Sequence, residues 1–200
     1  MATRRQPRRR SRREQLLGLA ADLFAERGFA GVTVDDIGAA AGVSGPALYH
    51  HFAGKEALLG EMLIGISQRL LDDAVRIERA AEVPGDVLDA LVANHAVFAV
   101  DNPSLITVHH RDLVHAAEAD RRRVRRLQAR YVLHWVEALQ HRSPGLDRRT
   151  AGAAVHATIG LVNSTPYSSR LPRDEMVDLL TVMAGQALAA IARSGRALLP

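Results

Sequence analysis

Cysteine is absent from this chain of 200 residues. Its absence excludes disulfide bonds, thiolate zinc sites and a cysteine nucleophile, and it favours a reducing cytoplasm as the location. No uninterrupted apolar run approaches the roughly 18 residues that a membrane-spanning helix needs. The basic N-terminus is not followed by an apolar segment, so a secretory signal is not predicted either. The hydrophobic fraction of 48% indicates a globular chain with a sizeable core.

The 26 lysines and arginines include a single lysine, and the arginines are unevenly placed. The first 13 positions hold no acidic residue and seven arginines, Arg4, Arg5, Arg8, Arg9, Arg10, Arg12 and Arg13. Because the net charge is only +4, the rest of the chain carries −3. We expect residues 1–11 to form a disordered basic arm in which Arg8, Arg9 and Arg10, together with Arg12, contact DNA phosphates or a minor groove. A solvated terminus without DNA contact is the alternative.

The segment from residue 29 to residue 55, FAGVTVDDIGAAAGVSGPALYHHFAGK, has the pattern of a helix-turn-helix. Ile37 and Ala41 share the apolar face of a short helix, and Gly42 permits the left-handed backbone of a tight turn. Ser44 is a candidate N-cap for a second short helix. Two short helices across such a turn place the second one in a DNA major groove, so the pattern predicts a DNA-binding head.

Three patterns in this segment resemble the DNA-binding domain of TetR-type bacterial repressors. They are Thr33-Val34-x-x-Ile37-x-x-x-Ala41-Gly42-Val43-Ser44, Leu48-Tyr49-x-His51-Phe52 and Lys55-Glu56-x-Leu58-Leu59. The resemblance covers roughly Arg12 to Leu63, and Pro46 departs from it where many members carry glycine. Proline fits the first turn of a helix, where its missing N–H has no helical partner. The resemblance implies an effector pocket in the C-terminal domain.

Helical periodicity continues to the C-terminus, and no segment has the alternating pattern of a strand. The predicted fold class is therefore all-α. An N-terminal three-helix helix-turn-helix DNA-binding domain, residues 12–58, is joined through a fourth helix to a C-terminal helical bundle for ligand binding and dimerisation, residues 59–200. The boundary lies inside the fourth helix, from Lys55 to about Ala80, so no flexible linker is expected.

The residues of the head predicted to contact DNA are Thr33, Ser44, Gly45, Pro46, Ala47, Tyr49, His50, His51 and Lys55. Those that open the second helix approach base edges but offer few hydrogen bonds, which leaves a methyl contact with thymine as their direct readout. By resemblance, Tyr49, His51 and Lys55 hold the DNA backbone and Thr33 caps the helix below. The alternative packs Tyr49 or His51 into the core beside Phe24.

The C-terminal helices combine apolar side chains with histidines, a pattern typical of ligand cavities between bundle helices. The residues predicted to line such a pocket are His95, Phe98, His109, His110, Leu113, Tyr131, His134, Trp135, His156, Ile159 and Asn163. The alternative is that these residues simply form the core of the bundle, which is the commoner role for any one of them. The stretch from Arg111 to Leu139 also resembles regulators of fatty-acid or sterol catabolism that sense acyl-CoA thioesters, which implies an effector of that kind.

A second basic run extends from Arg121 to Arg126. Because Val124 and Leu127 recur at helical spacing, the arginines fall mostly on the opposite, solvated face of the helix. The alternative gives these arginines the anionic groups of a ligand, such as phosphates, to bind.

Neither a metal site nor an enzyme is predicted. Among the nine histidines, His109 and His110 are adjacent and face apart, and no two lie four residues apart. The chain also lacks a glycine-rich phosphate loop, a Gly-x-Ser-x-Gly elbow and a His-Glu-x-x-His motif. We therefore expect no metal, no cofactor and no catalytic residue.

Small residues recur on the last two helices, where they would let the helices of two chains approach closely. The residues predicted to form this dimer interface are Gly152, Ala153, Ala157, Gly160, Ala184 and Ala187. One short recognition helix reads too few base pairs alone, so a homodimer on a pseudo-palindromic, double-stranded operator is expected. Burial inside the core of a single chain is the alternative for these small residues.

Taken together, these patterns favour a cytoplasmic, ligand-responsive transcriptional regulator, a repressor by its resemblance. A small apolar or amphipathic effector would release it from the operator. Two other classes compete with this interpretation. One is a small-molecule-binding or catalytic helical bundle with an incidental basic head. The other is a nucleic-acid packaging protein that binds any sequence through its arginine arm.

Overall fold

A computed structural model of the protein describes residues 12–43 and 48–194. The predicted arm with Arg8, Arg9 and Arg10 lies outside the described residues, as do Ser44, Gly45, Pro46 and Ala47. Within the described ranges every regular element is a helix and no strand occurs. The predicted all-α fold class is confirmed.

Two short helices open the head. α1 spans Arg12–Arg27 and α2 spans Val34–Ala40, and residues 48–49 are again helical. Leu48 and Phe52 are buried, with exposed fractions of 1% and 4%, so both belong to the core of the head as expected from their apolar character.

Glycines end both short helices, and a threonine starts the second one. φ is 77° at Gly28 and 65° at Gly42, in the left-handed region that a side chain resists. Thr33 begins α2 with a capping box, because its Oγ1 accepts from the N–H of Asp36 while the Asp36 carboxylate accepts from the N–H of Thr33 at 2.7 Å. The predicted turn glycine at position 42 and the predicted cap are both confirmed.

The linking helix, α3, spans Lys55–Ala80 and runs from the head into the bundle. The other helices of the bundle are α4 (Val87–Asp101), α5 (Pro103–Asp112), α6 (Glu118–Arg142), α7 (Arg148–Val162), α8 (Thr165–Ser168) and α9 (Arg173–Ser194). Short 3-10 turns at Pro84–Asp86 and Leu113–His115 precede α4 and α6. α3 packs along α6, and α9 packs against α4 and α7.

Two apolar clusters hold these helices together. The head cluster includes Leu16, Phe24, Ile37, Leu48 and Leu59, and the bundle completes it with Val108, Ala116 and Val124. The bundle cluster surrounds Trp135, whose side chain is fully buried. Because bundle side chains fill part of the head core, head and bundle form one packed unit joined without a flexible linker.

The last helix leaves much of its apolar surface uncovered. Leu179, Val182 and Met183 of α9 are exposed to 42%, 61% and 46%. By length and composition, Arg173–Arg193 could cross a membrane, with a mean hydropathy of 1.4 in its most apolar window and only 22% of that window buried. α9 is nevertheless not an uninterrupted apolar run, because Asp178 and Gln186 lie within it, so it does not contradict the expectation drawn from the sequence.

Candidate DNA-binding head and ligand cavity

Two of the N-terminal arginines, Arg12 and Arg13, bind other residues of the head and the linking helix. Arg12 Nη2 donates to the carbonyl oxygen of Ala41 at 2.5 Å, at the C-terminal end of α2. Arg13 forms an ion pair with Glu61 of the linking helix and donates to the carbonyl oxygen of His51 at 2.7 Å. The predicted DNA contact of Arg12 therefore competes with a bond that fixes the helix-turn-helix. The role of Arg13 was not predicted, because its partners lie 38 and 48 positions away in the sequence.

The ammonium group of Lys55 is held by contacts within the protein. Its Nζ donates to the carbonyl oxygens of Phe29 and Val32, both at 2.8 Å, and lies 4.3 Å from the centre of the Phe29 ring. These contacts tie the turn before α2 to the first turn of the linking helix. Two of the three ammonium protons are used in this way, which leaves one for the predicted contact with a DNA phosphate.

The side chains that follow the recognition turn face solvent. Tyr49 is 58% exposed, and His50 and His51 are also exposed. The alternative that packs Tyr49 or His51 into the core beside Phe24 is therefore wrong. An exposed tyrosine ring next to two imidazoles offers hydrogen-bond donors to a DNA backbone.

A cavity of about 290 Å³ opens between the linking helix and α4, α5, α6 and α7. Its walls are Ile66, Ser67, Leu70, His95, Phe98, Leu105, Ile106, His109, His110, Gln128, Tyr131, Val132, His156, Ile159, Gly160 and Asn163. Eight of the eleven predicted pocket residues belong to this set. Pattern reasoning missed the contribution of the linking helix, whose small polar Ser67 gave no signal in the sequence.

Three predicted pocket residues lie elsewhere. Leu113 packs against the head cluster, and the imidazole of His134 turns to Glu78, with 2.6 Å between Nδ1 and Oε1. Trp135 is fully buried behind His95 and Tyr131, with ring centres 5.8 and 6.0 Å away. Helical spacing placed each of these three residues with the pocket residues. In the structure each contacts neighbouring parts of the protein and not the cavity.

A neutral hydrogen-bond chain forms the inner polar wall. His95 Nε2 lies 3.1 Å from Asn163 Oδ1, and the Tyr131 hydroxyl lies 3.1 Å from His95 Nδ1. Burial lowers the pKa of His95 to about 4 and raises that of Tyr131, so both groups are uncharged at neutral pH. The chain is consistent with a His95 tautomer that donates from Nε2 and accepts from Tyr131 at Nδ1.

The cavity wall carries a second, partly buried imidazole, that of His109. Burial, reinforced by the neighbouring His110, lowers the pKa of His109, and its Nε2 contacts the side-chain nitrogen of Gln128. His110 and His156 are exposed and stand at the mouth of the cavity. None of the wall residues is an aspartate, glutamate, lysine or arginine. The cavity is therefore an apolar space with neutral hydrogen-bonding groups.

The head also matches known sequences. Residues 16–62 fit the family described as bacterial regulatory proteins, tetR family. The chain carries a TetR-type DNA-binding domain. This match confirms the resemblance carried by the helix-turn-helix and by the Leu48-Tyr49-x-His51-Phe52 pattern.

A curated relative extends the similarity beyond the TetR-type domain. The transcriptional repressor KstR2 of Rhodococcus jostii is 34% identical over 110 residues, which are 55% of this chain and 54% of that protein. The matched segment thus spans about half the length of this curated relative. The name describes a regulator and not an enzyme, in agreement with the lack of catalytic motifs.

Solved structures share the fold of most of the chain. A TetR-family regulator from Bordetella parapertussis has a TM-score of 0.77 at 22% identity, covering 94% of this chain and 97% of that one. AibR, solved with isovaleryl coenzyme A and operator DNA, has a TM-score of 0.69 at 23% identity, covering 86% and 97%. At these identities the likeness shows the fold alone, a TetR-type domain followed by a helical bundle.

α5 connects the TetR-type domain to the cavity. Ile106 and His109 line the cavity, while Val108 packs into the head cluster. Arg111, at the end of the same helix, donates to the carbonyl oxygens of Phe24 and Ala25 at the end of α1. One short helix therefore touches the ligand space on one side and the DNA-binding domain on the other.

A buried carboxylate and a stacked ring strengthen this connection. Asp112 is 2% exposed and accepts from Arg111 at 3.0 Å, which orients the guanidinium towards α1. His115 stacks on Phe29, with ring centres 5.0 Å apart, and the same Phe29 ring lies beneath Lys55. No sequence pattern marks Arg111, because it donates to backbone carbonyl oxygens of a helix nearly 90 positions earlier. Asp112 is not marked either, because its role is to bind that arginine.

The predicted interface residues divide into two groups. Ala153, Ala157 and Ala187 are exposed and Gly152 is half-buried. Gly160 is exposed as well, but it lines the cavity. Ala184 is fully buried in the core of its own chain, so its assignment to an interface between chains is corrected. The small-residue pattern did not distinguish the face of α9 that packs on α4 from the face that meets solvent.

Proposed function

We propose that the chain is a ligand-responsive transcriptional repressor that works in the cytoplasm as a homodimer. It binds a pseudo-palindromic operator through two TetR-type heads and leaves the operator when a small molecule fills the bundle cavity. The observation that carries this proposal is the double contact of α5, whose Ile106 and His109 line the cavity while Arg111 holds the end of α1.

The exposed apolar face of α7 and α9 supports a dimer. The large side chains Leu179, Val182 and Met183 are exposed on α9 together with the small Ala187, and α7, which packs against α9, exposes Ala157. Such small residues suit close packing of helices from two chains. An uncovered apolar face of this kind is costly in water and marks an interaction surface. In a dimer the two recognition helices would read successive major grooves about 34 Å apart.

The walls of the cavity define the chemistry of the effector. Because no aspartate, glutamate, lysine or arginine lines it, a carboxylate or ammonium group buried beside the neutral His95 and Tyr131 would find no charged partner and would be disfavoured. The Asn163 oxygen faces His95, which leaves the amide N–H groups of Asn163 as donors for a carbonyl oxygen of the ligand. The effector should therefore bury an uncharged, largely apolar group that carries a carbonyl.

An acyl-CoA thioester meets these conditions. Its acyl chain and thioester carbonyl are uncharged, and a cavity of about 290 Å³ suits a short or branched acyl group. AibR, which has this fold, was solved with isovaleryl coenzyme A. The CoA phosphates would stay outside, where Arg125 and Arg126 are exposed on α6 and Arg125 stands one turn before Gln128 of the cavity wall.

Because α5 contacts both the cavity and α1, ligand binding would change DNA binding through this helix. A ligand that pushes on Ile106 and His109 shifts α5, and Arg111 and Val108 transmit the shift to α1. The ligand must bind the DNA-incompetent arrangement more tightly, so operator DNA must weaken ligand binding by the same factor.

The test combines operator selection with ligand titration on the full chain. DNA selected from a random pool should contain an inverted repeat and should bind at least a hundredfold more tightly than random DNA. Short branched acyl-CoA thioesters should release the selected DNA, whereas the matching free acids should be at least tenfold weaker. Equal binding to selected and random DNA would leave the arginine arm as the main binder and contradict the proposal. A thioester that saturates the cavity without changing operator affinity would refute the regulatory part.

A further inference from the structure

Three metal-ligating side chains meet on the linking helix and α6, outside the cavity. They are Glu78 of α3 and His134 and Glu137 of α6, and their ligand atoms all lie within 4.8 Å of one another. His134 Nδ1 is 2.6 Å from Glu78 Oε1. None of the three lines the cavity or belongs to the exposed face of α7 and α9. The cluster is therefore a separate feature of the bundle.

The helices fix this meeting point. His134 and Glu137 are three residues apart, so they share one face of α6, and α3 packs along α6 and brings Glu78 to that face. The side chains of His134 and Glu78 are only 20% and 35% exposed. Two donors are thus held in a partly enclosed position, while Glu137 closes the group from the solvent side.

The charges of the cluster do not balance. Two carboxylates share one imidazole, and in the described ranges no lysine or arginine forms an ion pair with either glutamate. The described part of the chain also gives Glu137 no hydrogen-bond partner, although 26 basic residues are available in the sequence. A surplus of negative charge beside a half-buried imidazole is the arrangement that a divalent cation stabilises.

We propose that Glu78, His134 and Glu137 bind one divalent transition-metal ion of the zinc class and thereby bridge the linking helix and α6. One imidazole nitrogen with two carboxylate oxygens suits Zn²⁺ and its neighbours, whereas Mg²⁺ and Ca²⁺ favour shells made of oxygen alone. Ligands on one Zn²⁺ are roughly 3.4 Å apart, given bonds of about 2.1 Å, so the 2.6 Å between His134 Nδ1 and Glu78 Oε1 would widen as the ion enters. Water would complete the coordination.

Equilibrium dialysis of the tag-free, full-length protein against Zn²⁺ tests this site. The wild type should bind Zn²⁺, and Glu137→Gln should weaken the binding at least tenfold, as should His134→Gln. Mg²⁺ at the same concentration should not compete. Glu82→Gln is the matched control, because it removes an exposed charge just after the linking helix and leaves the three donors intact. Thermal melting without metal should show that all variants fold.

The outcomes separate a built site from weak surface binding. A rise in melting temperature with Zn²⁺ that disappears in Glu137→Gln and persists in Glu82→Gln would support the bridge between the helices. Equal loss of binding in Glu82→Gln and Glu137→Gln would reduce the site to general electrostatic attraction and overturn the proposal. Zn²⁺ binding that survives both Glu137→Gln and His134→Gln would place the ion on other histidines and overturn it as well.

Discussion

The carboxylate of Asp120, in the first turn of α6, lies directly against the backbone of Gly60 in the linking helix. A Cβ at position 60 would be 2.9 Å from Asp120 Cγ and 3.3 Å from its Cβ, so only glycine permits this approach. Gly65, one and a half turns later on the same helix, has no atom within 4 Å of the corresponding position. The two glycines of the linking helix therefore have different physical roles.

Replacing each glycine by alanine should change stability in opposite directions. Gly60→Ala must turn the Asp120 carboxylate away and push its Cβ back by a few tenths of an ångström, and we expect a loss of about 1–3 kcal/mol in the free energy of unfolding. Gly65→Ala gains helix propensity without a clash and should add about 0.5–1 kcal/mol. Urea unfolding measures both. A neutral or stabilising Gly60→Ala would contradict the close approach.

Much of the head could be predicted from sequence, because its signals are local. Gly42 and the Thr33 cap act on neighbouring residues, and the apolar spacing of α1 and α2 identifies the core. Arg13 and Lys55 were interpreted less well. Their partners are the carbonyl oxygens of His51, Phe29 and Val32, and a sequence pattern does not show that a backbone oxygen will be close to a cation.

Tyr49 and Lys55 should give different phenotypes. Tyr49→Ala removes an exposed ring and should lower operator affinity at least tenfold while the melting temperature stays unchanged. Lys55→Ala also deprives the carbonyls of Phe29 and Val32 of a charged donor, so we expect it to lose about 1–3 kcal/mol of stability together with operator affinity. Calorimetry and DNA titration of both variants test the distinction. A fully stable Lys55→Ala that fails only to bind DNA would assign Lys55 to the phosphates alone.

The exposed valines on α9 and at the end of α5 provide a matched pair for testing the dimer. Val182 is 61% exposed on α9 and Val114 is 64% exposed in the turn after α5. If α9 forms the interface, Val182→Arg places a charge there and should weaken dimerisation about a hundredfold, whereas Val114→Arg should leave it intact. Sedimentation at micromolar concentration resolves the two states. A wild type that sediments as a monomer would remove the basis of this prediction.

The cavity was harder to predict than the head, because its walls come from five helices. Helical spacing correctly marked His95, Phe98 and Tyr131 as inward-facing, but spacing alone also marked His134 and Trp135. Which inward face meets open space and which meets another helix depends on how α3 and α6 are packed. That packing depends in turn on Gly60 and Asp120, whose contact no local pattern reveals.

The free energy of unfolding should decrease as the pH is lowered, because His95 is buried in its neutral form. Its pKa is lowered from an ordinary value of 6.5 to about 4 by burial, so the folded chain binds fewer protons than the unfolded chain between these values. Stability is therefore fully present above pH 6.5 and declines as the pH falls towards 4, with about 2 kcal/mol lost by pH 5. His109, whose pKa is also lowered, contributes in the same direction.

Chemical unfolding of the wild type and His95→Gln across pH 4.5–7.5 separates this contribution from the others. The variant can be less stable overall, since it alters the chain to Tyr131 and Asn163, but its pH slope between 5 and 6.5 should be clearly smaller. An identical slope in the two proteins would show that His95 does not bear the predicted protonation linkage.

The contact between Arg111 and the end of α1 should carry the coupling between ligand and DNA. Removing Arg111 alone would leave the buried carboxylate of Asp112 without its cation, so the informative variant is the charge-balanced pair Arg111→Gln with Asp112→Asn. It should bind the effector within about threefold of the wild type, because neither residue lines the cavity. Its operator affinity should respond far less to the effector, with at least half of a coupling free energy of about 1–3 kcal/mol lost.

Arg76→Gln, which removes an exposed ion pair with Asp73 on the linking helix, is the control and should keep full coupling. Effector titrations with and without operator DNA measure the coupling directly, and an unchanged value in the double variant would assign it to Val108 and the stacked rings of Phe29 and His115 instead.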